Sequence, residues 1–125
     1  MRRLIGACLC LSMLGVVALA SNAEGPKPNS DSKSRHFEVR MQSGNKFNPD
    51  SFEIQVGDTV TWINEDDTKH SATPDDDSPI MFTETDLASG KFSGRITFDT
   101  AGTVKYHCKH HPATMKGTIT VTASK

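Results

Sequence analysis

One short segment near the C-terminal end of the chain, residues 106–117, concentrates side chains that can bind a metal ion. It contains one cysteine, three histidines and one methionine, namely His107, Cys108, His110, His111 and Met115. A thiolate, imidazole nitrogens and a thioether are soft to borderline donors, which favour copper, or less often zinc, over calcium or magnesium. The segment therefore predicts a transition-metal site.

The spacing of these donors suits a single ion. His111 follows Cys108 by three positions and Met115 follows His111 by four, so one short loop can turn all three toward one point. A further donor must come from elsewhere, and His70 offers it from a segment rich in Asp and Thr. Two histidines and one cysteine in a near-trigonal plane, with a weak axial methionine, form the ligand set of blue-copper sites. His110 is the alternative to His111, and the C-x-x-H spacing favours His111.

The first 23 residues have the pattern of a secretory signal peptide, with a basic start, an apolar run and small residues at the end. We predict cleavage after Ala23, with Ala20 as the alternative position; a membrane anchor is the alternative interpretation of the apolar run. Cleavage removes Cys8 and Cys10 and leaves Cys108 alone. A lone thiol in an oxidising compartment must pair with another chain, react, or be held by a metal. The sequence thus predicts a periplasmic or otherwise exported protein, without stable membrane insertion after cleavage.

The remaining chain divides into a leader and one domain. Residues 24–35 carry no large apolar side chain, which is typical of a flexible leader, and the folded domain is predicted over residues 36–125. Alternating or β-branched residues predict six strands, at residues 36–41, 52–56, 59–64, 92–98, 103–108 and 116–122. Residues 65–79 and 109–113 are predicted loops, and a helical turn is expected at most around residues 85–88. This pattern indicates an all-β, Greek-key β-sandwich.

The charge balance gives no reason to propose nucleic acid as a partner. Of the 14 Lys and Arg residues, 12 remain after cleavage, against 15 Asp and Glu, which gives a formal charge of −3. The acidic residues include two runs, residues 65–67 and 75–77, that flank His70. Such runs can steer a basic protein partner toward the site, an effect that salt weakens.

Two long stretches resemble the cupredoxins, small type 1 copper proteins of the plastocyanin, pseudoazurin and amicyanin group. The family's segment leading to its first histidine ligand is similar to residues 47–70, F-N-P-D-S-F-E-I-Q-V-G-D-T-V-T-W-I-N-E-D-D-T-K-H. Its strand and ligand loop are similar to residues 98–121, F-D-T-A-G-T-V-K-Y-H-C-K-H-H-P-A-T-M-K-G-T-I-T-V. The resemblance implies one type 1 copper ion bound by four residues: His70, Cys108, His111 and Met115.

Three features of this sequence differ from the family pattern. His110 stands where members often have proline before the second histidine ligand. Three residues separate His111 from Met115, a number between the shorter amicyanin-like and the longer plastocyanin-like loops. Ser71 stands where many members have asparagine, and we expect its hydroxyl to hydrogen-bond across to the loop that carries Cys108.

The resemblance implies an exported carrier that moves single electrons between redox proteins, and not an enzyme. The exposed edge of His111 would pass the electron, and Pro112 and Ala113 would form a small apolar docking patch. The expected partner is a redox protein such as a c-type cytochrome or a periplasmic oxidoreductase, and the carrier is expected to be a monomer. His107 is expected to face the surface, because it alternates with Cys108 along the predicted strand.

Two other classes of function remain open at this stage. The first is a periplasmic copper store or donor without a redox partner, although such proteins favour Met-rich tracts that this sequence lacks. The second is a Cys–His hydrolase, since Cys108 has histidine neighbours. Multicopper oxidases need further His-x-His pairs, and a binuclear copper site needs a second cysteine in the loop; the sequence contains neither.

Overall fold

The computed structural model describes residues 33–124, and all regular secondary structure in that range is β-strand. The predicted signal peptide, residues 1–23, and most of the predicted leader, residues 24–35, lie outside the described range. None of the described residues belongs to a helix long and apolar enough to cross a membrane. The strands are β1 (His36–Gln42), β2 (Lys46–Asn48), β3 (Ser51–Gln55), β4 (Thr59–Asn64), β5 (His70–Pro74), β6 (Thr85–Leu87), β7 (Ile96–Thr97), β8 (Gly102–His107) and β9 (Lys116–Thr122).

The strands form two sheets around one core. The first sheet has the order β2-β1-β4-β7, and the second has the order β3-β9-β8-β5-β6. β1 pairs in parallel with β4, and β3 pairs in parallel with β9, whereas the other neighbouring strands are antiparallel. Because successive side chains of a strand point to opposite faces, the alternating segments bury one side chain in two between the sheets. The predicted all-β sandwich is confirmed.

Three short segments are strands where the sequence predicts none, and the first of them is β2. Residues 70–74, predicted as part of a loop, form β5, and residues 85–87, where at most a helical turn is expected, form β6. β5 pairs with β8 on one side and with β6 on the other. Its side chains are small or polar, and those of His70, Ser71 and Ala72 are buried. Strand formation here depends on the neighbouring strands and not on hydrophobic alternation.

The predicted strand over residues 92–98 is much shorter in the structure. Regular pairing is confined to β7, and Phe92 makes a single bridge to Ile63. Between them, the N–H of Trp62 donates to the Ser93 hydroxyl oxygen at 2.9 Å, where a ladder would have a backbone carbonyl. Gly94 follows and has no side chain to pack, which weakens a strand interior. The prediction of a full strand was wrong for these reasons.

Aromatic rings fill the core beneath the C-terminal segment. Tyr106 and Trp62 are fully buried, and their ring centroids lie 5.5 Å apart in an edge-to-face arrangement. Phe47 packs edge-on against Tyr106 at 4.8 Å, and Phe82 stacks on Trp62 at 5.0 Å. Each such pair contributes about 0.5–1.5 kcal/mol beyond the burial of its area. The packing fixes the part of β8 that precedes Cys108.

Gly117 provides the space that the Tyr106 ring occupies. The two residues are directly opposite each other in the pairing of β8 with β9. A Cβ atom at Gly117 would lie 2.3 Å from the ring carbon Cζ of Tyr106, closer than non-bonded atoms approach. Glycine is therefore required at this position as long as the ring stays in place.

The substitution Gly117→Ala should lower the free energy of unfolding by about 1–3 kcal/mol, the usual cost of overpacking a core. The added methyl group must push the Tyr106 ring out of its position. Urea denaturation of the metal-free protein measures the change. Gly94→Ala is the control, because nothing lies within 4 Å of a Cβ atom there. Equal stability of the two variants would show that the ring moves aside without cost.

Candidate metal centre

Three side chains from two distant parts of the chain bring their metal-binding atoms together. His70 begins β5, Cys108 follows the last residue of β8, and His111 lies in the turn after it. The ligand atoms of these three residues all lie within 4.8 Å of one another. In the part of the chain that the structure describes, this is the one cluster of three or more His, Cys, Asp or Glu side chains suited to a metal ion.

The distances fit one ion between the three side chains. The Cys108 Sγ atom lies 3.7 Å from His70 Nδ1 and 3.7 Å from His111 Nδ1. A metal–nitrogen bond of about 2.0 Å and a metal–sulfur bond of about 2.3 Å, meeting at roughly 120°, span that separation. The donor types select copper or zinc over harder cations. The residues present therefore fit a copper ion.

Backbone hydrogen bonds fold the segment after β8 into a tight loop. His111 N–H donates to the Cys108 carbonyl at 3.0 Å, and Met115 N–H donates to the His111 carbonyl at 3.0 Å. The loop closes where Cys108 N–H donates to the Met115 carbonyl at 2.9 Å. Met115 thus returns to the side of Cys108, and both residues are fully buried.

Ser71 joins the two parts of the cluster. Its N–H donates to Cys108 Sγ at 3.3 Å, and its Oγ accepts the N–H of Lys109 at 2.8 Å. The hydroxyl also pairs with Thr73 Oγ1 at 2.9 Å. Hydrogen bonds around metal ligands fix the orientation of those ligands. The predicted bond from the Ser71 hydroxyl to the ligand loop is confirmed.

His70 is fully buried, and the nitrogen of its ring that points away from the thiol has a carboxylate partner. His70 Nε2 lies 2.8 Å from Asp66 Oδ2 and 3.3 Å from Thr68 Oγ1. The hydrogen bond with His70 holds the pKa of Asp66 below its ordinary value. The sequence pattern groups Asp66 with an acidic surface run, whereas the structure directs its carboxylate at His70. The only sequence signal for this pair is the spacing of four residues, which is weak among acidic neighbours.

His111 is the member of the cluster nearest to the solvent. Its side chain is partly exposed, and Pro112 and Ala113, which follow it, are exposed. The neighbouring His110 is exposed as well, and its Nε2 lies 3.0 Å from Asp86 Oδ1. Of the two adjacent histidines, His111 is the one that the structure brings to the thiol.

His107 lies beside Cys108 in the chain but does not take part in the cluster. Its Nδ1 is 2.5 Å from Asp75 Oδ1, and 26% of its side chain is exposed. The surface position agrees with the alternation of side chains along β8.

Much of the charge near the ligand loop is paired. The Asp86 carboxylate lies 3.1 Å from Lys69 Nζ and 3.0 Å from Lys109 Nζ, and Lys109 also reaches Glu84 at 2.5 Å. The hydrogen bond with His110 and those with the two lysines hold the pKa of Asp86 well below its ordinary value. Exposed pairs of this kind add little stability. Their main effect is to make the surface beside the loop nearly neutral.

A β-sandwich with a His-Cys-His cluster at one end defines a cupredoxin-type copper protein. Residues 35–122 match the family model of copper-binding proteins of the plastocyanin/azurin family. The match extends from the start of β1 to the end of β9, so the chain belongs to this family. Copper is the metal that family membership implies for the cluster, and electron transfer is the general function of the class.

Plastocyanin and amicyanin are among the curated proteins that match in sequence. Plastocyanin from Scenedesmus fuscus is 40% identical over 83 residues, which cover 60% of this chain and 85% of the relative. Amicyanin from Paracoccus denitrificans is 32% identical over 85 residues, which cover 61% of this chain and 58% of the relative. The chain therefore spans most of the plastocyanin but little more than half of the amicyanin.

Among the solved structures that share the fold are an enzyme and a small cupredoxin. A copper-containing nitrite reductase from Thermus scotoductus SA-01 matches with a TM-score of 0.63 and 36% identity, over 71% of this chain and 23% of the reductase. A purple cupredoxin from Nitrosopumilus maritimus matches with a TM-score of 0.60 and 29% identity, over 68% of this chain and 98% of that protein. The match with the nitrite reductase covers less than a quarter of that enzyme's length.

The substitution Ser71→Ala should lower the free energy of unfolding of the metal-free protein by about 1–3 kcal/mol. The N–H of Lys109 loses its hydroxyl acceptor, and a donor left without a partner costs that much when water cannot reach it. Urea denaturation measures the loss, with Ser89→Ala at an exposed position as the control. If Ser71→Ala is no less stable than the control, water replaces the hydroxyl as acceptor, and the hydrogen bond between Ser71 and Lys109 does not stabilise the fold.

Proposed function

We propose that His70, Cys108, His111 and Met115 bind one copper ion in a type 1 site, and that the protein carries single electrons between redox partners. The observation that carries this proposal is the Cys108 thiol with two imidazole Nδ1 atoms, each 3.7 Å from sulfur, at the end of a packed β-sandwich. Met115 supplies a thioether; the residue is fully buried, and its carbonyl accepts the N–H of Cys108 at 2.9 Å. The donor set is that of a blue-copper site.

The role of the chain is to keep the donors in place. A bound copper ion supplies a one-electron couple, and its two oxidation states prefer different geometries. Three of the four proposed ligands, His70, Cys108 and Met115, are fully buried in the core or the closed loop. Close packing and the loop hydrogen bonds resist their movement, so little rearrangement accompanies a change of metal charge.

His111 is the proposed route for the electron to and from the surface. It is the one proposed ligand with partial exposure, and exposed Pro112 and Ala113 stand next to it. A partner that contacts this small apolar patch approaches the imidazole edge directly. Interfaces of small area are weak and transient, which suits a carrier that must release its partner after each transfer.

Burial of the ligands argues against a copper store. A protein that hands copper to others needs donors that an acceptor can reach, whereas His70, Cys108 and Met115 have no exposed area. The same burial argues against a Cys–His hydrolase, because the Cys108 thiol cannot reach a substrate carbonyl. We therefore propose a carrier and not an enzyme.

The proposal includes export and a protein partner. Residues 1–23 act as a signal peptide that directs the protein to the periplasm or beyond, and the mature carrier is a monomer without stable membrane insertion. The partner is a redox protein such as a c-type cytochrome or a periplasmic oxidoreductase. Family membership supports the general function, and the partial exposure of His111 supports transfer between proteins.

Addition of one equivalent of Cu(II) to the purified protein should produce an intense visible absorption band from thiolate-to-copper charge transfer. Cys108→Ala should abolish the band, because the thiolate is its origin. His110→Ala and His111→Ala form a matched pair of neighbouring histidines. The His110 variant should keep the spectrum of the unsubstituted protein, and the His111 variant should lose or strongly shift it.

Voltammetry and a chelator distinguish the carrier from a copper store. A carrier should show a reversible one-electron couple and retain its metal when a chelator is added. A colourless copper complex, or rapid loss of copper without a reversible couple, would contradict the proposed function.

Exposed acidic residues near the site should steer a basic partner. In the acidic run at residues 65–67, Glu65 pairs with Arg40 and Asp66 with His70. The exposed carboxylate of Asp67 is therefore the one in this run that we expect to attract a basic partner. Charges concentrated near a binding site raise association rates with oppositely charged partners, and salt screens the effect.

Replacing two exposed carboxylates, Asp67 and Asp76, by Asn should slow electron transfer to a cationic c-type cytochrome by up to about tenfold at low salt. The difference should disappear at high ionic strength, as stopped-flow kinetics can measure. Asp99→Asn, near the start of β8 and away from Cys108, is the control. Rates that do not depend on salt in the unsubstituted protein would rule out steering.

A further inference from the structure

The ring of His70 is held at both nitrogens. Nδ1 faces Cys108 Sγ at 3.7 Å, and Nε2 lies 2.8 Å from Asp66 Oδ2. A neutral imidazole carries one proton, and a carboxylate accepts but does not donate when ionised. Asp66 therefore selects the form of His70 with the proton on Nε2, which leaves the Nδ1 lone pair directed at the thiol.

Asp66 is itself fixed by the loop around it. Its Oδ1 accepts the N–H of Asp67 at 2.8 Å, and its Oδ2 accepts the Thr68 hydroxyl at 3.1 Å. Its own N–H donates to Asn64 Oδ1 at 2.9 Å. The carboxylate thus has little freedom to leave His70, and 14% of the Asp66 side chain is exposed.

Asn64 anchors this loop to the sandwich. It is fully buried at the end of β4, and its Nδ2 donates to the carbonyls of Thr68 at 2.8 Å and Leu87 at 2.9 Å. Leu87 lies opposite His70 in the pairing of β5 with β6. The loop that carries Asp66 is therefore tied to the strand that borders His70.

We propose that Asp66 is a positioning residue for the copper site, which fixes the ring of His70 and lowers the reduction potential of the bound metal. The inference rests on the proposed function. A negative charge bonded to a ligand imidazole makes it a stronger donor and favours the metal ion of higher charge. Because Asp66 is only slightly exposed, water screens this effect less than it screens a surface carboxylate.

Asp67 provides a matched comparison. It is adjacent to Asp66 and carries the same charge, but its side chain is exposed. The structure shows no hydrogen bond between its carboxylate and His70. A general effect of negative charge would appear at both positions, whereas a positioning role would appear at Asp66 alone.

The first measurement uses the copper-free protein at neutral pH. Nitrogen-15 NMR of the His70 ring should show the proton on Nε2 in the unsubstituted protein and in Asp67→Ala. Asp66→Ala should give a mixture of the two neutral forms, because the carboxylate acceptor at Nε2 is gone and only the longer contact with the Thr68 hydroxyl, at 3.3 Å, remains. A proton on Nδ1 in the unsubstituted protein, or no change in Asp66→Ala, would overturn the positioning role.

The second measurement is the midpoint potential of the copper form. Asp66→Asn keeps the size of the side chain and an oxygen acceptor but removes the charge. It should weaken Cu(II) binding about tenfold relative to Cu(I), which for a one-electron couple raises the potential by about 59 mV. Asp67→Asn should change the potential by less than a third of this. Equal shifts in the two variants, or a lower potential in Asp66→Asn, would overturn the tuning role.

Failure of the proposed function would give a different result from failure of the positioning role of Asp66. If the unsubstituted protein shows no thiolate-to-copper band, the type 1 site is wrong, but the NMR result still decides whether Asp66 positions His70. If Asp66→Ala does not fold, Asp66→Asn retains the acceptor, and its potential relative to Asp67→Asn decides whether the Asp66 charge acts on the metal.

Discussion

The Cys108 thiol is held by the backbone of Ser71, and the rest of the centre depends on this contact between two strands. β5 and β8 pair in antiparallel fashion with Thr73 opposite His107, so residues just before Thr73 lie beside residues just after His107. This register brings the Ser71 N–H to 3.3 Å from the sulfur. A slip by one residue would turn His70 to the other face of the sheet, because side chains alternate along a strand. The register of β5 against β8 thus places the His70 side chain beside the Cys108 thiol.

Core packing behind the cluster keeps β8 in one position. Tyr106 occupies the space that Gly117 leaves open, and Trp62 and Phe47 each pack against its ring in an edge-to-face arrangement. Interiors of this density resist displacement of individual side chains. Because Cys108 lies two residues beyond Tyr106, the same packing that stabilises the fold also fixes the thiol. Rigidity of the donors is what the proposed electron transfer requires.

The all-β sandwich and the C-terminal cluster can be predicted from the sequence, because both appear in local patterns. Strand alternation has a period of two residues, and the cluster follows from the spacing between Cys108 and His111. β5 could not be predicted, since its small and polar residues become a strand only through pairing with β6 and β8. The contact of Asp66 with His70 was also missed, because acidic residues with acidic neighbours usually lie in solvated loops. Tertiary structure decides both of these features.

The paired charges beside the ligand loop bear on how a partner would be recognised. Lys69 and Lys109 lie against Asp86, so the surface next to the loop has little net charge at short range. In the proposed function, a partner first meets the edge of His111 and the small apolar residues after it. A contact of this size binds weakly, and exposed charges farther away affect the rate of approach more than the strength of binding. Weak binding with guided approach allows a carrier to dissociate as soon as one electron has passed.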